Sequence, residues 1–208
     1  EHLGELAESA RIIGAVNCVS IRKGRLIGDN TDGKGFLASL KQVADPSGKK
    51  VLLLGAGGAA RAIAVELGLA SAAHITVMNR DPKKAETIAA LVRDNTSAKA
   101  DVQAWDGEAG VPDDVDILIN ATSIGLGDAD AMPPLKIETL RKGLIVADVI
   151  PNPPRTRLLR EAENRGCTVL DGLGMLVNQG VIGVEHWLGK TLDAGVMEKT
   201  LKDIFGAA

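Results

Sequence analysis

Val51-Leu52-Leu53-Leu54-Gly55-Ala56-Gly57-Gly58-Ala59-Ala60 is an aliphatic run that breaks into a glycine-rich turn and then into helical spacing. A short apolar run closed by glycine reads as a strand buried on both faces, the kind found in parallel sheets. The turn fits G-x-G-x-x-[GA], with Gly55 making the tight turn, Gly57 leaving room for a pyrophosphate, and Ala60 packing helix on strand. The helix N-terminus behind it, Gly58 and Ala59 included, presents free N–H groups and partial positive charge to an anion. A tight turn without a ligand would need the same glycines, so context has to decide between the two readings.

Outward from this loop the pattern alternates. Strands are expected at 51–55, 74–78, 101–105, 116–120, 143–149 and 167–170. Helices are expected between them at 59–69, 82–92 and 155–164, with Asp81 capping the second ahead of Pro82. Two more helices follow, at about 174–188 and 193–205. Strand–helix alternation of this kind predicts a doubly wound α/β fold, a parallel sheet with helices on both faces. The earlier part differs: 15–21 and 25–29 are β-rich and joined by Arg22-Lys23-Gly24, which reads as a hairpin. Thr31 or Asp32 then caps a helix running to about Val43, and Asp45-Pro46-Ser47-Gly48 reads as a linker.

Length and composition narrow the function. At ~150 residues per domain, 208 residues allow one to two domains. The 24 basic and 27 acidic residues leave a net charge of −3, without the basic face that nucleic-acid binding needs. Two Trp, two Phe and no Tyr make the core aliphatic and leave little to stack bases on. No apolar run approaches the ~18 residues of a membrane span. The N-terminus shows no secretory pattern, and Cys18 and Cys167 form no scaffold, so a cytoplasmic protein handling small molecules is expected. His2, His74 and His186 are scattered without metal spacing and read as surface or packing residues. Glu161, Glu163 and Arg165 read as a solvated helix face.

The cofactor's identity turns on the end of the second sheet strand, where an Asp or Glu would bind the ribose of NAD. Asn79 stands there, followed by Arg80, a planar permanent cation suited to a 2′-phosphate, and then Asp81, Lys83 and Lys84. Arg80 and Lys84 favour NADP. Asp81 keeps NAD open unless its carboxylate is spent on capping the helix. Asn120-Ala121-Thr122-Ser123-Ile124-Gly125 closes the fourth strand of the sheet and is expected to face the nicotinamide half, although an Asx- or ST-turn alone would explain Asn120, Thr122 and Ser123.

Four blocks occur together: Gly14-Ala15-Val16-Asn17, Gly28-Asp29-Asn30-Thr31-Asp32-Gly33, Gly55–Ala60, and Asp171-Gly172-Leu173-Gly174-Met175-Leu176-Val177-Asn178-Gln179. In this order the chain resembles the shikimate dehydrogenase family, with its quinate and aminoshikimate paralogues, along essentially its whole length. The resemblance implies a Rossmann-type cofactor domain over 31–171, a remnant of an α/β substrate domain over 1–30, and C-terminal helices over 172–208 that bridge back to it. It implies NAD(P)-linked hydride transfer between 3-dehydroshikimate and shikimate. Asn17, Asp32 and Gln179 are then substrate-binding, Asp32 also pairs with a catalytic Lys, and Gly172 and Met175 line the nicotinamide. The residue types suit the chemistry: a polyhydroxylated ring needs short donors and acceptors, and an alkoxide formed by hydride transfer needs a nearby proton donor. Taken alone, Asp32 reads as a helix cap, Asn17 as a strand-end turn and Gln179 as a polar helix face.

The chain also departs from the family pattern. The S-x-S motif and the T-x-P-x-K motif that carries the catalytic Lys do not occur, and only 16 residues precede Asn17. Lys34 cannot replace that lysine, because helical neighbours at i and i+2 do not face each other. The expectation is nucleotide binding with poor turnover of shikimate. Cys18 stands where the family usually has Thr, and Asp148-Val149-Ile150-Pro151 lacks the usual Tyr, so the nicotinamide wall is aliphatic. A non-catalytic nucleotide-binding module is the alternative from another class, and the missing Lys favours it. A methylenetetrahydrofolate dehydrogenase is the other alternative, against which the D-G-L-G-M-L-V-x-Q block argues. The chain is expected to be a monomer or homodimer, and its composition does not choose among shikimate, quinate and aminoshikimate.

Overall fold

A computed structural model describes residues 3–205; His2 lies outside them. The first sheet has three strands, β1 (Glu5–Leu6), β2 (Cys18–Arg22) and β3 (Arg25–Asp29), in the order β1-β3-β2. The β2–β3 hairpin is antiparallel, with Arg22 opposite Arg25 at its tip, where Lys23 and Gly24 take positive φ. The strand β1 adds parallel to β3, and a short helix α1 (Glu8–Ile13) follows it. Neither β1 nor α1 is anticipated by the residue pattern. The strand is two exposed residues long, and Ala7 at the helix N-cap makes no side-chain cap.

The helix α2 (Thr31–Leu40) leads to a second sheet. Its strands are β4 (Lys50–Leu54), β5 (His74–Asn79), β6 (Lys99–Ala104), β7 (Ile117–Asn120), β8 (Ile145–Asp148) and β9 (Thr168–Leu170). All six are parallel, in the order β6-β5-β4-β7-β8-β9. The chain leaves β4 for β5 on one side and returns to β7 on the other, so the strand order reverses at the C-terminal end of β4, where ligands bind in open α/β sheets. The connecting helices are α3 (Gly58–Leu69), α4 (Pro82–Asn95) and α5 (Arg157–Asn164), followed by α6 (Gly172–Leu188) and α7 (Ala194–Phe205).

Residues Leu52, Leu53 and Leu54 of β4 and all of β7 are fully buried, as expected of a central parallel strand covered on both faces. Leu53, Ile63, Leu67, Ile75, Val77 and Ile119 pack one face of the sheet, and Leu52, Leu54, Met78, Leu118, Val146 and Leu158 pack the other. The core is almost wholly aliphatic, with Phe36 and Trp105 its aromatic exceptions. Among the described residues no helix is long and apolar enough to cross a membrane.

The α2 start differs from expectation. The N-cap position is Asn30, which makes no side-chain cap, and neither Thr31 nor Asp32 caps the helix. The free N–H of Thr31 is taken instead by Oδ1 of Asn17, at 2.8 Å and 14 residues away. A long-range side chain thus does the work of a local cap, which frees the Asp32 carboxylate. The helix α6 starts at Gly172, two residues before the expected start, because the Asp171 side chain accepts from Leu173 N–H and caps it there.

Candidate active site

The glycine-rich loop after β4 sits at the switch point of the sheet. Gly55 has φ +101°, and a Cβ on it would lie 2.8 Å from the Ala121 carbonyl oxygen, so only glycine fits between β4 and the β7 loop. At Gly57 and Gly58 a Cβ would meet nothing within 4 Å; the space above them is open, and both residues are exposed. Ala60 is completely buried against the sheet. The first N–H groups of α3 therefore face an open groove, as an anion site needs.

That groove is a cleft of about 630 Å³. Gly55, Ala56 and Gly57 line it, with Asn79, Arg80 and Lys84 at one end and Thr122 and Ser123 at the other. Gly58 and Ala59 stand at the start of α3 without lining the cleft. Asp81 also borders it, but its carboxylate accepts from Lys83 N–H at 3.0 Å and Lys84 N–H at 3.4 Å, capping α4. The carboxylate is thereby held on the N-terminus of α4, whose free N–H groups and partial positive charge offset part of its field at Arg80. Trp105, at the end of β6, also lines this cleft, with its ring N–H donating to the Pro134 carbonyl at 3.2 Å.

The 120–125 loop is the Asx/ST turn its residues suggest, and it also forms a wall of the cleft. Asn120 Oδ1 accepts from the Thr122 hydroxyl at 2.7 Å and its N–H at 3.2 Å, and the Thr122 hydroxyl accepts from Ile124 N–H at 3.1 Å.

A second, smaller cavity of about 210 Å³ brings together Asp32, Val149, Pro151, Gly172, Met175 and Gln179. Asp32 and Gln179, 147 positions apart in sequence, meet here because α2 packs along α6. The close approach is built in: a Cβ on Gly35 would lie 2.6 Å from Gln179 N, and one on Gly172 would lie 2.5 Å from the Ile150 carbonyl carbon and oxygen. The wall at 149–151 is aliphatic, with Pro151 in it.

Asn17 is not part of that wall but is joined to it by Thr31, a buried residue that sequence reasoning passed over except as a cap. The Thr31 hydroxyl lies 3.3 Å from Asn17 Oδ1 and 3.4 Å from Gln179 Oε1, and it can donate to one at a time. With Asn17 Oδ1 engaged by Thr31, its amide NH₂ is left to donate outward. Gln179 donates to its own helix at Leu176 O.

Behind these residues lies an ionic cluster. Lys34 Nζ donates to both carboxylate oxygens of Asp29, at 2.7 and 2.6 Å. Lys34 therefore turns away from Asp32, as the i, i+2 argument requires. His186 corrects the expectation of a bland packing residue. Its Nε2 lies 2.8 Å from Asp29 Oδ2, and because a carboxylate only accepts, that nitrogen is assigned the proton. Its Nδ1 faces Arg22 at 3.4 Å. Burial pushes the Asp29 carboxyl up, but the hydrogen bond and charge of Lys34, the His186 bond and the Asn30 N–H together hold it below the usual range. The cluster ties β2, β3, α2 and α6 together across 157 residues of sequence, so no local pattern announces it. The other histidine, His74, pairs with Asp101 at the surface, and among the described residues no group of His, Cys, Asp and Glu could hold a metal.

One buried carboxylate stands between the two cavities. Asp148 ends β8 at 1% exposure, and burial pushes its carboxyl up against opposing hydrogen bonds from Thr156, Ile150 N–H and Asn120.

Comparison with known proteins agrees with this architecture. The family model described as Shikimate / quinate 5-dehydrogenase matches residues 38–126, and that of the Shikimate 5′-dehydrogenase C-terminal domain matches 172–202. The shikimate dehydrogenase (NADP(+)) of Methanopyrus kandleri is 41% identical over 95% of this chain and 70% of its own length. The Thermus thermophilus shikimate 5-dehydrogenase, solved with NADP(H) and shikimate, superposes with TM-score 0.81 at 36% identity, covering 97% of this chain and 73% of that one. The ligand-free 5-ketofructose reductase of Gluconobacter sp. strain CHM43 superposes with TM-score 0.96 at 68% identity, covering 98% of this chain and 74% of that one. The enzymes that give the family its name interconvert shikimate and 3-dehydroshikimate, and the curated relatives are NADP-dependent. With its parallel sheet, phosphate loop and α2–α6 cavity in place, this chain belongs to the shikimate/quinate dehydrogenase family of NAD(P)-linked oxidoreductases.

Proposed function

We propose that the protein reduces a ketone on a polyhydroxylated small molecule with NADPH, reversibly, as an oxidoreductase of its family. The observation that carries this is a pair of cavities: a cleft at the switch point walled by the glycine loop, Thr122 and Ser123, and a second, largely apolar pocket into which Asp32 and Gln179 bring polar groups. The fit of the cofactor rests on the open space above Gly57 and Gly58 and on the capping use of Asp81. Gly55, Ala56, Gly57, Gly58 and Ala59 would hold the pyrophosphate, Arg80 and Lys84 the 2′-phosphate, and Asn79 the ribose. Thr122, Ser123, Gly172 and Met175 would border the nicotinamide. When bound, the reduced cofactor supplies the hydride. Asn17 would donate to a substrate hydroxyl, Gln179 would hold a second, and Asp32 would accept from a third.

A proton donor is needed for the oxygen that receives charge. Lys34 is committed to Asp29. In our reading the donor is the lysine that the family places ahead of Asn17, paired with Asp32. We assign residues 1–30 to the substrate domain, 31–171 to the cofactor domain, and 172–208 to helices that bridge the two. Two free, buried cysteines fit a reducing, cytoplasmic setting.

For the substrate, 5-ketofructose is our first reading, supported by 68% identity to a reductase named for it, against about 41% to the nearer of the named shikimate dehydrogenases. The aliphatic wall at Pro151 suits a paralogue with altered preference. Conversion of 3-dehydroshikimate is the second reading, supported by the curated relatives. The test is NADPH oxidation with each ketone, by this chain and by the chain extended upstream in its own reading frame. Higher kcat/KM for 5-ketofructose supports the first reading, and preference for 3-dehydroshikimate supports the second. Binding of NADPH with neither ketone reduced by either form overturns the enzyme reading in favour of a nucleotide-binding module.

A further inference from the structure

Asp148 is the point from which the two loops bordering the cavities are hung. Its Oδ1 accepts from Asn120 Nδ2 at 3.0 Å and from Ile150 N–H at 3.1 Å, and its Oδ2 accepts from the Thr156 hydroxyl at 2.8 Å. Asn120, itself 0% exposed, also donates to the Ile124 carbonyl and accepts from Thr122, so it carries the whole 120–124 turn. Ile150 and Thr156 bracket the proline-rich loop that puts Pro151 into the second cavity. The two loops also touch: a Cβ on Gly125 would lie 3.2 Å from Thr156 Cγ2. One carboxylate with three donors therefore sets the spacing between the nucleotide-cleft wall and the second-cavity wall. Removing it leaves three buried donors without their acceptor.

We propose that Asp148 is a positioning residue that acts through Asn120 and Ile150 to set the nicotinamide half of the site, without touching cofactor or substrate. This rests on the nucleotide reading above. It assigns the loops hung from Asp148 to the nicotinamide end, while Arg80, just after β5, and Lys84, on α4, grip the other end. The residue is isosteric with Asn, but an amide presents NH₂ to one of the existing donors. In Asp148→Asn the NH₂ either opposes the Asn120 and Ile150 donors or faces the Thr156 hydroxyl, which must then accept where it donated, so the charge-assisted bonds that hold the 122–124 wall are weakened or lost.

The experiment compares two probes, NADPH and 2′-phospho-ADP-ribose, which lacks the nicotinamide. Both are titrated calorimetrically into wild type, Asp148→Asn, Thr156→Val and Thr156→Ser, and the melting temperature of each protein is recorded. The expected result is weakening of NADPH by about tenfold in Asp148→Asn, the size of one lost hydrogen bond to a charged group. Binding of 2′-phospho-ADP-ribose should change less than about twofold in the same protein. Thr156→Val should show the same split more weakly, and Thr156→Ser, which keeps the hydroxyl, should restore NADPH binding. Equal weakening of both probes, or of neither, overturns the proposal, because a merely structural carboxylate would lower the melting temperature without separating them. If Asp148→Asn does not fold, the contrast between Thr156→Val and Thr156→Ser decides by the same criterion. Failure of wild type to bind either probe refutes the nucleotide reading instead.

Discussion

Replacing Arg80 with Ala removes a permanent planar cation from the end of the cleft that we assign to the 2′-phosphate. A hydrogen bond to a charged group contributes about 1.5–3 kcal/mol, and the lower half of that range applies because Arg80 is exposed. Taking about 1.5–2 kcal/mol, NADPH should bind about 10- to 30-fold more weakly. Lys84 remains on the first turn of α4 and retains part of the phosphate attraction, which sets the upper bound. NADH carries no 2′-phosphate, so its affinity should change by less than about twofold in the same protein, where an added 1.4 kcal/mol would be tenfold. The assay is titration of both nucleotides by nicotinamide fluorescence, repeated at raised salt, where the NADPH advantage should shrink as exposed charges are screened. Unchanged NADPH binding, or an equal loss for NADH, would refute the assignment of Arg80 to the phosphate.

Four further outcomes follow from the geometry. Asp81→Ala loses the α4 cap and should lower stability by about 1 kcal/mol, seen in urea unfolding, while NADPH binding is kept. Gly172→Ala should destabilise although helices usually gain from that change, because the new Cβ would meet the Ile150 carbonyl at 2.5 Å; a melting temperature equal to or above wild type contradicts this. Burial pushes the Glu66 carboxyl up, so its contribution is intact in acid and is lost as pH rises through and above the ordinary glutamate range; Glu66→Gln should therefore match wild type in acid and exceed it in stability at neutral pH. Asp29 shifts the other way, so its contribution is present at neutral pH and lost as pH falls below the ordinary aspartate range; Asp29→Asn should flatten the acid limb of the stability profile.

The parallel sheet is readable in the sequence because buried strands carry unbroken apolar runs such as Val51–Leu54 and Ile117–Ile119, and glycines and caps punctuate the helices between them. Asp81 ahead of Pro82 is a local signal, and the structure carries it out in full. What stayed hidden depends on long-range pairing. The two exposed residues of β1 make a strand only because β3 offers its edge, and the α2 cap comes from Asn17 instead of a neighbour. His186 reads as bland until α6 lays it against Asp29. Asp148 did carry a signal: a carboxylate closing the apolar run Leu144–Ala147 must find donors once buried. Trp105 lines the cleft because it follows the last residue of β6, a position that a low aromatic count does not reveal.

We place NADP(H) across the switch point with its nicotinamide against the Asp32–Gln179 pocket. A crystal structure of the chain with NADP⁺ tests it most directly. The pyrophosphate should lie over Gly57 and Gly58, the 2′-phosphate at Arg80 and Lys84, and the nicotinamide between Thr122 and Met175, facing the cavity that holds Asp32. A nucleotide bound elsewhere, or with its nicotinamide turned away from that cavity, would contradict it.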